Sequence, residues 1–274
     1  MALLRTFMRV TPNLKLGVTE LGNRDGRTIF VTHGWGTDHN FMLCFKDLFP
    51  DYRILLADMP GYGKSRHLKQ FAGYPGLTGQ LILNTIPHNS ILLSWSLSTL
   101  SGIEATCMDK EHKIDRFISV CGTPRFPSDP NWPGFDYKYV LRCQQLFSNP
   151  KNQRLLKLFF IKQTQCSTLP KDQCDNFIKA YENMLPVDME VLHKGLMCMA
   201  HYDLREALFS VKVPCLHLFG AKDRLVKVES ASCVVDLPYH NTAILHNSAH
   251  MPFLSEPDEF KRVINLFLNS SYLK

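Results

Sequence analysis

Short apolar runs that each stop dead at a glycine- or serine-bearing loop constrain this chain most. Thr28 to Thr32 ends at His33-Gly34-Trp35-Gly36, and Arg53 to Ala57 ends at Asp58-Met59-Pro60-Gly61-Tyr62-Gly63-Lys64-Ser65. Ser90-Ile91-Leu92-Leu93 runs into Ser94-Trp95-Ser96-Leu97-Ser98, and Arg116 to Val120 ends at Cys121-Gly122-Thr123-Pro124. The segments between them are long enough for helices. Fully apolar strands alternating with helices predict an α/β architecture: a mostly parallel central sheet with helices on both faces. A ligand site is then expected beyond the carboxyl ends of the strands.

From about Pro124 to Ala207 the rhythm changes. No convincing strand is present, while Tyr139 to Phe147, Asn152 to Gln163 and Lys171 to Met184 have helical character and prolines punctuate them. This segment reads as an inserted helical cap (residues 123–207), leaving 1–122 and 208–274 as the core. Strand rhythm resumes at Val213 to Phe219 and Asn241 to Leu245. A closing helix is expected from about Pro257 to Phe267, with Phe260, Val263, Ile264 and Phe267 on one face.

The run into Ser96 is the pattern of a strand-to-helix elbow. Such a turn lifts a hydroxyl above the sheet, and the helix that follows directs backbone N–H groups toward an oxyanion beside it. A serine hydroxyl needs a base, and the base needs an orienting carboxylate. In this scaffold they follow in the order Ser, acid, His. Asp223, in Gly220-Ala221-Lys222-Asp223, and His250, in Ala249-His250-Met251-Pro252-Phe253, occur just beyond the two later strands. Asp115 and Asp203 are the fallback acids. Of the other histidines, His217 lies within a strand, His246 is too near one, and His39, His67 and His201 have no partnered context. The glycines of His33-Gly34-Trp35-Gly36 let a backbone come close to a substrate carbonyl, which makes the Trp35 and Leu97 N–H groups the expected oxyanion donors. The Asp58 to Ser65 loop lacks the ending of a phosphate cradle and reads as a structural turn supporting the site.

Composition narrows the class. A formal charge of +6 favours an acidic partner or anionic substrate, but no Lys/Arg block with interleaved aromatics points to nucleic acid. Nine cysteines without a C-x-x-C are expected to be reduced, buried thiols. The apolar runs fall far short of the ~20 residues of a membrane span, and the first ten residues lack a signal-peptide stretch. A monomeric cytoplasmic enzyme without metal or organic cofactor is the expectation.

Together, H-G-W-G, D-x-P-G-x-G-x-S, S-W-S-L-S, G-x-x-D and A-H-x-P-F resemble the α/β-hydrolase superfamily. Within it the chain is most similar to the pimeloyl-acyl-carrier-protein methyl ester carboxylesterases of biotin synthesis. Trp95-Ser96-Leu97, Asn131-Trp132-Pro133-Gly134, the stretch Gln153 to Gln163 and Tyr202-Asp203-Leu204-Arg205 carry the closer likeness. The resemblance implies a Ser96/His250/Asp223 triad forming an acyl-enzyme, with Trp35, Trp95, Leu97, Phe159, Phe160 and Gln163 around the substrate. It implies a carrier-protein partner at Arg142, Arg154 and Lys171. Between Thr123 and Gln165 the cap carries Arg125, Lys138, Arg142, Lys151, Arg154, Lys157 and Lys162 against Asp129 and Asp136, a balance suited to an acidic partner. Ser94 and Ser98 stand where the family has glycines, which would strain the elbow by about 1–3 kcal/mol if either needed a glycine-like backbone. Leu158 replaces an expected basic residue, beside Lys157. A general esterase, a thioesterase or a carbon–carbon bond hydrolase uses the same elbow, and a non-catalytic binding module would keep the fold without needing the three residues.

Overall fold

The computed structural model describes residues 9–147, 149, 152, 155, 158, 175, 178, 179, 181, 182 and 186–270. Seven strands form one sheet: β1 (Val18–Gly22), β2 (Thr28–Thr32), β3 (Arg53–Ala57), β4 (Ser90–Trp95), β5 (Ile114–Val120), β6 (Cys215–Gly220) and β7 (His240–Leu245), in the order β1-β3-β2-β4-β5-β6-β7. Every pairing is parallel except β1 against β3. Every residue of β2, β4 and β6 is buried, as helices on both faces require. β1 carries no apolar run and only half-buries its residues at the sheet edge, so its sequence lacks the signal that marks the other strands.

The chain leaves β2 toward one edge of the sheet and β4 toward the other. Their carboxyl ends therefore flank a topological switch point, where open α/β sheets hold ligands. The loop His33–Gly36 and the elbow at Ser96 both sit there.

Helices α1 (Phe45–Leu48), α2 (Pro75–Thr85), α3 (Ser98–Met108), α4 (Tyr137–Phe147), α5 (Met189–His201), α6 (Arg205–Phe209), α7 (Pro252–Ser255) and α8 (Pro257–Asn269), with 3-10 helices at His39–Met42, Gly63–Phe71 and Val228–Cys233, complete the described elements. In α8, Phe260, Ile264 and Phe267 are buried and Val263 is half-buried. Phe260 meets Phe45, Phe49 and Phe253 with ring centroids 5.9–6.3 Å apart, sealing one face of the sheet. Among the described residues no helix is long and apolar enough to cross a membrane. Of the helices expected in the cap, α4 begins two residues earlier than the apolar pattern suggested. Most of Asn152 to Gln163 and Lys171 to Met184 lies outside the described residues.

Neither Ser94 nor Ser98 adopts a left-handed backbone, so the strain expected of them is absent. Room for the extra hydroxyl comes from elsewhere. A Cβ on Gly102 of α3 would stand 2.6 Å from Ser94 Oγ and 2.6 Å from the Phe117 ring. Gly102→Ala should therefore destabilise the fold by about 1–3 kcal/mol through overpacking, despite a helix-propensity gain of about 1 kcal/mol. Urea unfolding would measure it. Adding Ser94→Gly is expected to recover part of the loss, with the Phe117 clash remaining.

Candidate active site

Ser96 follows β4 directly and has φ +59°, the one left-handed residue of the elbow. A serine accepts that conformation only where its surroundings hold it. Here the Ser96 N–H donates to Val120 O at 2.9 Å and its carbonyl accepts from Thr99 N–H at 3.0 Å, opening α3. Ser98 Oγ donates to carbonyls at 3.0–3.1 Å, and Thr32 Oγ1 lies 2.9 Å from both Ser94 Oγ and Ser98 Oγ, so the flanking hydroxyls are bonded.

The loops after β6 and β7 bring the other two groups. Asp223 Oδ1 accepts from the N–H groups of Leu225 (2.8 Å) and Val226 (3.1 Å), which leaves Oδ2 to accept from His250 Nδ1 at 2.7 Å. That bond fixes the imidazole tautomer: Nε2 carries no proton and accepts from Ser96 Oγ at 2.8 Å. All three residues are buried. Trp95 steadies the histidine, because its indole N–H donates to His250 O at 2.8 Å. The fallback acids are elsewhere: Asp115 pairs with Arg27 and Arg116 at the start of β5, the opposite end of the sheet, and Asp203 pairs with Arg125 and Arg205.

Gly34 explains how the β2 loop reaches the elbow. A Cβ there would lie 3.1 Å from both Ser96 Cβ and the Trp95 ring, so a larger residue would push the Trp35 backbone away from the hydroxyl. The loop is held from behind by His33, whose Nδ1–H donates to Gly34 O and whose Nε2 accepts from Met59 N–H, both at 2.9 Å. Burial pushes the His33 pKa down, against the pull of the Asp58 charge, which suits an imidazole that must accept.

Asp58 is the anchor beneath. Its carboxylate accepts from His39 N–H (2.9 Å), Lys64 N–H (2.8 Å) and His39 Nδ1 (2.9 Å). Burial pushes the Asp58 carboxyl up, but the His39 side-chain hydrogen bond and the two backbone donors outweigh it and hold it below the usual range. The His39 pKa is raised chiefly by the same bond. His39 thus has a partner that its sequence context did not disclose, and the Asp58 to Ser65 loop braces the site.

Beside Ser96 and His250 a cleft encloses about 600 Å³, part of it open to solvent. Trp35 and Trp95 line it, as do Phe126, Phe135, Tyr139, Val140, Cys143, Leu196, Met199 and Leu225; apart from His250 the described lining carries no ionisable group other than a phenol and a thiol. Those eight residues were not singled out from the sequence, although Leu225 stands two places after Asp223 and Phe126 follows β5, where strand-end loops should be. Trp35 is pinned by its indole N–H donating to Leu192 O at 2.9 Å. Leu97 faces a second hollow behind Trp35 rather than this cleft. Arg142 is exposed on α4, whose Val140 and Cys143 face the cleft. Arg154, Phe159, Phe160, Gln163 and Lys171 lie outside the described residues.

Cys121, Asp223 and His250 offer potential metal ligands within 4.8 Å of one another. Asp223 and His250 already satisfy each other, however. Burial first, and the Asp223 charge second, keep the Cys121 thiol protonated. The arrangement is suited to proton transfer from Ser96.

The model of the alpha/beta hydrolase family matches residues 29–263. The chain is 31% identical over 247 residues to a pimeloyl-[acyl-carrier protein] methyl ester esterase from Hamiltonella defensa subsp. Acyrthosiphon pisum (strain 5AT), covering 89% of this chain and 93% of the relative. It is 32% identical over 237 residues to the protein of the same name from Salmonella newport (strain SL254), covering 85% and 90%. Among solved structures it resembles an esterase from Exiguobacterium antarcticum (TM-score 0.77, 19% identity, 92% and 95% covered). It also resembles a bromoperoxidase from Bacillus anthracis (TM-score 0.78, 16% identity, 92% and 95% covered); these two likenesses speak to the fold alone.

Proposed function

The chain belongs to the alpha/beta hydrolase family, and from that premise we propose that it is a serine carboxylesterase that hydrolyses the methyl ester of pimeloyl-acyl-carrier protein, releasing methanol. The observation that carries the reading is the unbroken line Asp223–His250–Ser96, with contacts of 2.7 and 2.8 Å, opening onto an apolar cleft. In the first half-reaction Ser96 Oγ attacks the ester carbonyl while His250 Nε2 takes its proton. Asp223 stabilises the imidazolium that forms, and the backbone N–H groups of Trp35 and Leu97 are assigned to the oxyanion. The tetrahedral adduct then collapses, and His250 returns the proton to the departing methoxide. Water repeats the sequence on the acyl-serine, freeing the acid and regenerating the hydroxyl.

The cleft supports a neutral, largely polymethylene acyl chain. An ester-capped chain leaves no charge among Phe126, Phe135, Val140 and Leu196, whereas the carboxylate product must shed its hydration to stay, and is expelled. The carrier name comes from the relatives at about 30% identity, and the basic excess of the cap fits an acidic carrier.

The test compares two substrates. Arg142→Glu, and Arg154→Glu alongside it, should raise KM for the carrier-linked methyl ester about five- to tenfold and leave a small soluble methyl ester unchanged. Equal effects on both substrates would remove the carrier from the proposal while leaving the esterase chemistry standing.

A further inference from the structure

Two motifs distant from the catalytic loops, Asn131-Trp132-Pro133-Gly134 and Tyr202-Asp203-Leu204-Arg205, meet where the segment between β5 and β6 leaves the sheet domain and returns to it. The outgoing arm folds back on itself: Ser128 N–H donates to Phe135 O at 3.0 Å and Phe135 N–H to Phe126 O at 3.1 Å. The returning arm follows α5, with Leu204 N–H donating to Pro124 O at 2.9 Å. Four charged side chains join the arms. Arg125 lies 3.0 Å from Asp129 and 3.1 Å from Asp203; Arg205 lies 2.6 Å from Asp203 and 3.1 Å from Asp129. Charge therefore alternates around a closed ring, two residues from each arm. The Arg205 guanidinium also sits over the Trp132 ring at 5.7 Å, and the Trp132 indole N–H donates to Arg125 O at 2.9 Å.

We propose that the ring Arg125–Asp203–Arg205–Asp129 clamps the two arms together and so sets the shape of the acyl cleft, with Arg205 as its principal positioning residue. This rests on the esterase reading above. The outgoing arm supplies Phe126 and Phe135 to one wall, and α5, which leads into the returning arm, supplies Leu196 and Met199 to another. None of the four charged side chains reaches the cleft, so the ring acts only through the walls. Isolated surface ion pairs contribute little, but a network of part-buried charges with a forked guanidinium holds geometry as well as charge. Each side chain here is between 23% and 34% exposed. Displacing a binding wall by about 1 Å is enough to cost a large factor in productive binding.

A long acyl chain feels both walls; an acetyl group touches little beyond Ser96. Arg205→Met should therefore raise KM for p-nitrophenyl octanoate about tenfold. Turnover of p-nitrophenyl acetate, and the rate at which a fluorophosphonate labels Ser96, should stay within about twofold of wild type. Asp129→Asn should act in the same direction, and the double variant should be no worse than the poorer single one, because both open one ring. Arg205→Lys, which keeps the charge but cannot fork between two carboxylates, is expected to fall between and serves if Arg205→Met does not fold. An unchanged octanoate KM, equal losses on both esters accompanied by a lowered Tm, or additive effects would overturn the clamp. Wild-type protein that fluorophosphonate fails to label would instead sink the esterase reading.

Discussion

Ser96→Ala is expected to lower kcat/KM for a methyl ester by about 10⁴-fold or more, and to abolish labelling by a fluorophosphonate. The size follows from the role proposed for the side chain. With its hydroxyl gone there is no covalent intermediate, and His250 has no proton to take at 2.8 Å, so only binding and the oxyanion donors remain to speed attack by water. Asp223→Asn is expected to cost about as much, although it leaves Ser96 in place: an amide can donate to His250 Nδ1, which would move the imidazole proton to Nε2 and point it at the serine. Steady-state kinetics on a short methyl ester, with mass spectrometry for the acyl adduct, measures both. Wild-type turnover in Ser96→Ala would remove the nucleophile and the proposed reaction with it.

The second large effect concerns stability rather than turnover. His217 in β6 and His240 in β7 lie side by side in the buried sheet, with His217 Nε2 2.8 Å from His240 Nδ1 and ring planes within 4°. Burial, joined by the neighbouring imidazole for His217, pushes the two pKa values down to about 3 and about 4. The unfolded chain would take up protons near 6.5. Between these limits the unfolded state binds more protons than the folded one, so stability is complete above about pH 6.5 and falls as the pH drops toward 4. Two such groups can add a slope of up to about 2.7 kcal/mol per pH unit. Urea unfolding at pH 7, 6, 5 and 4 should show it. In His217→Leu/His240→Leu the slope should flatten, with little change at pH 7, because both partners of the hydrogen bond are replaced together. The same steep slope in the double variant would assign acid sensitivity to other groups.

This pair marks a limit of reading the chain linearly. His217 was visible as a strand residue and His240 as the residue before one. That they touch depends on the parallel register that sets Cys215 opposite His240 and His217 opposite Thr242. The same holds for His39, whose partner Asp58 lies across two loops, and for Ser94, whose hydroxyl fits because Gly102 on the next helix leaves room. Strand β1 is illegible in the sequence for a different reason. As a half-exposed antiparallel edge it needs no apolar run and so leaves none in the sequence.

What was legible was local and repetitive. Composition identifies the central strands β2, β4 and β6, because a strand covered on both faces is apolar along most of its length. Turn residues mark where strands stop, and the order Ser96, Asp223, His250 follows from which loops share one edge of the sheet. By itself, then, the chain determined an α/β sheet and the order along it of three residues that the fold brings within hydrogen-bond distance. Tertiary structure alone decided which side chains meet: the apolar walls of the cleft, the His217–His240 pair and the ring around Arg205. Those contacts join residues far apart in sequence, and strand register and helix approach set them; no short stretch of sequence encodes either.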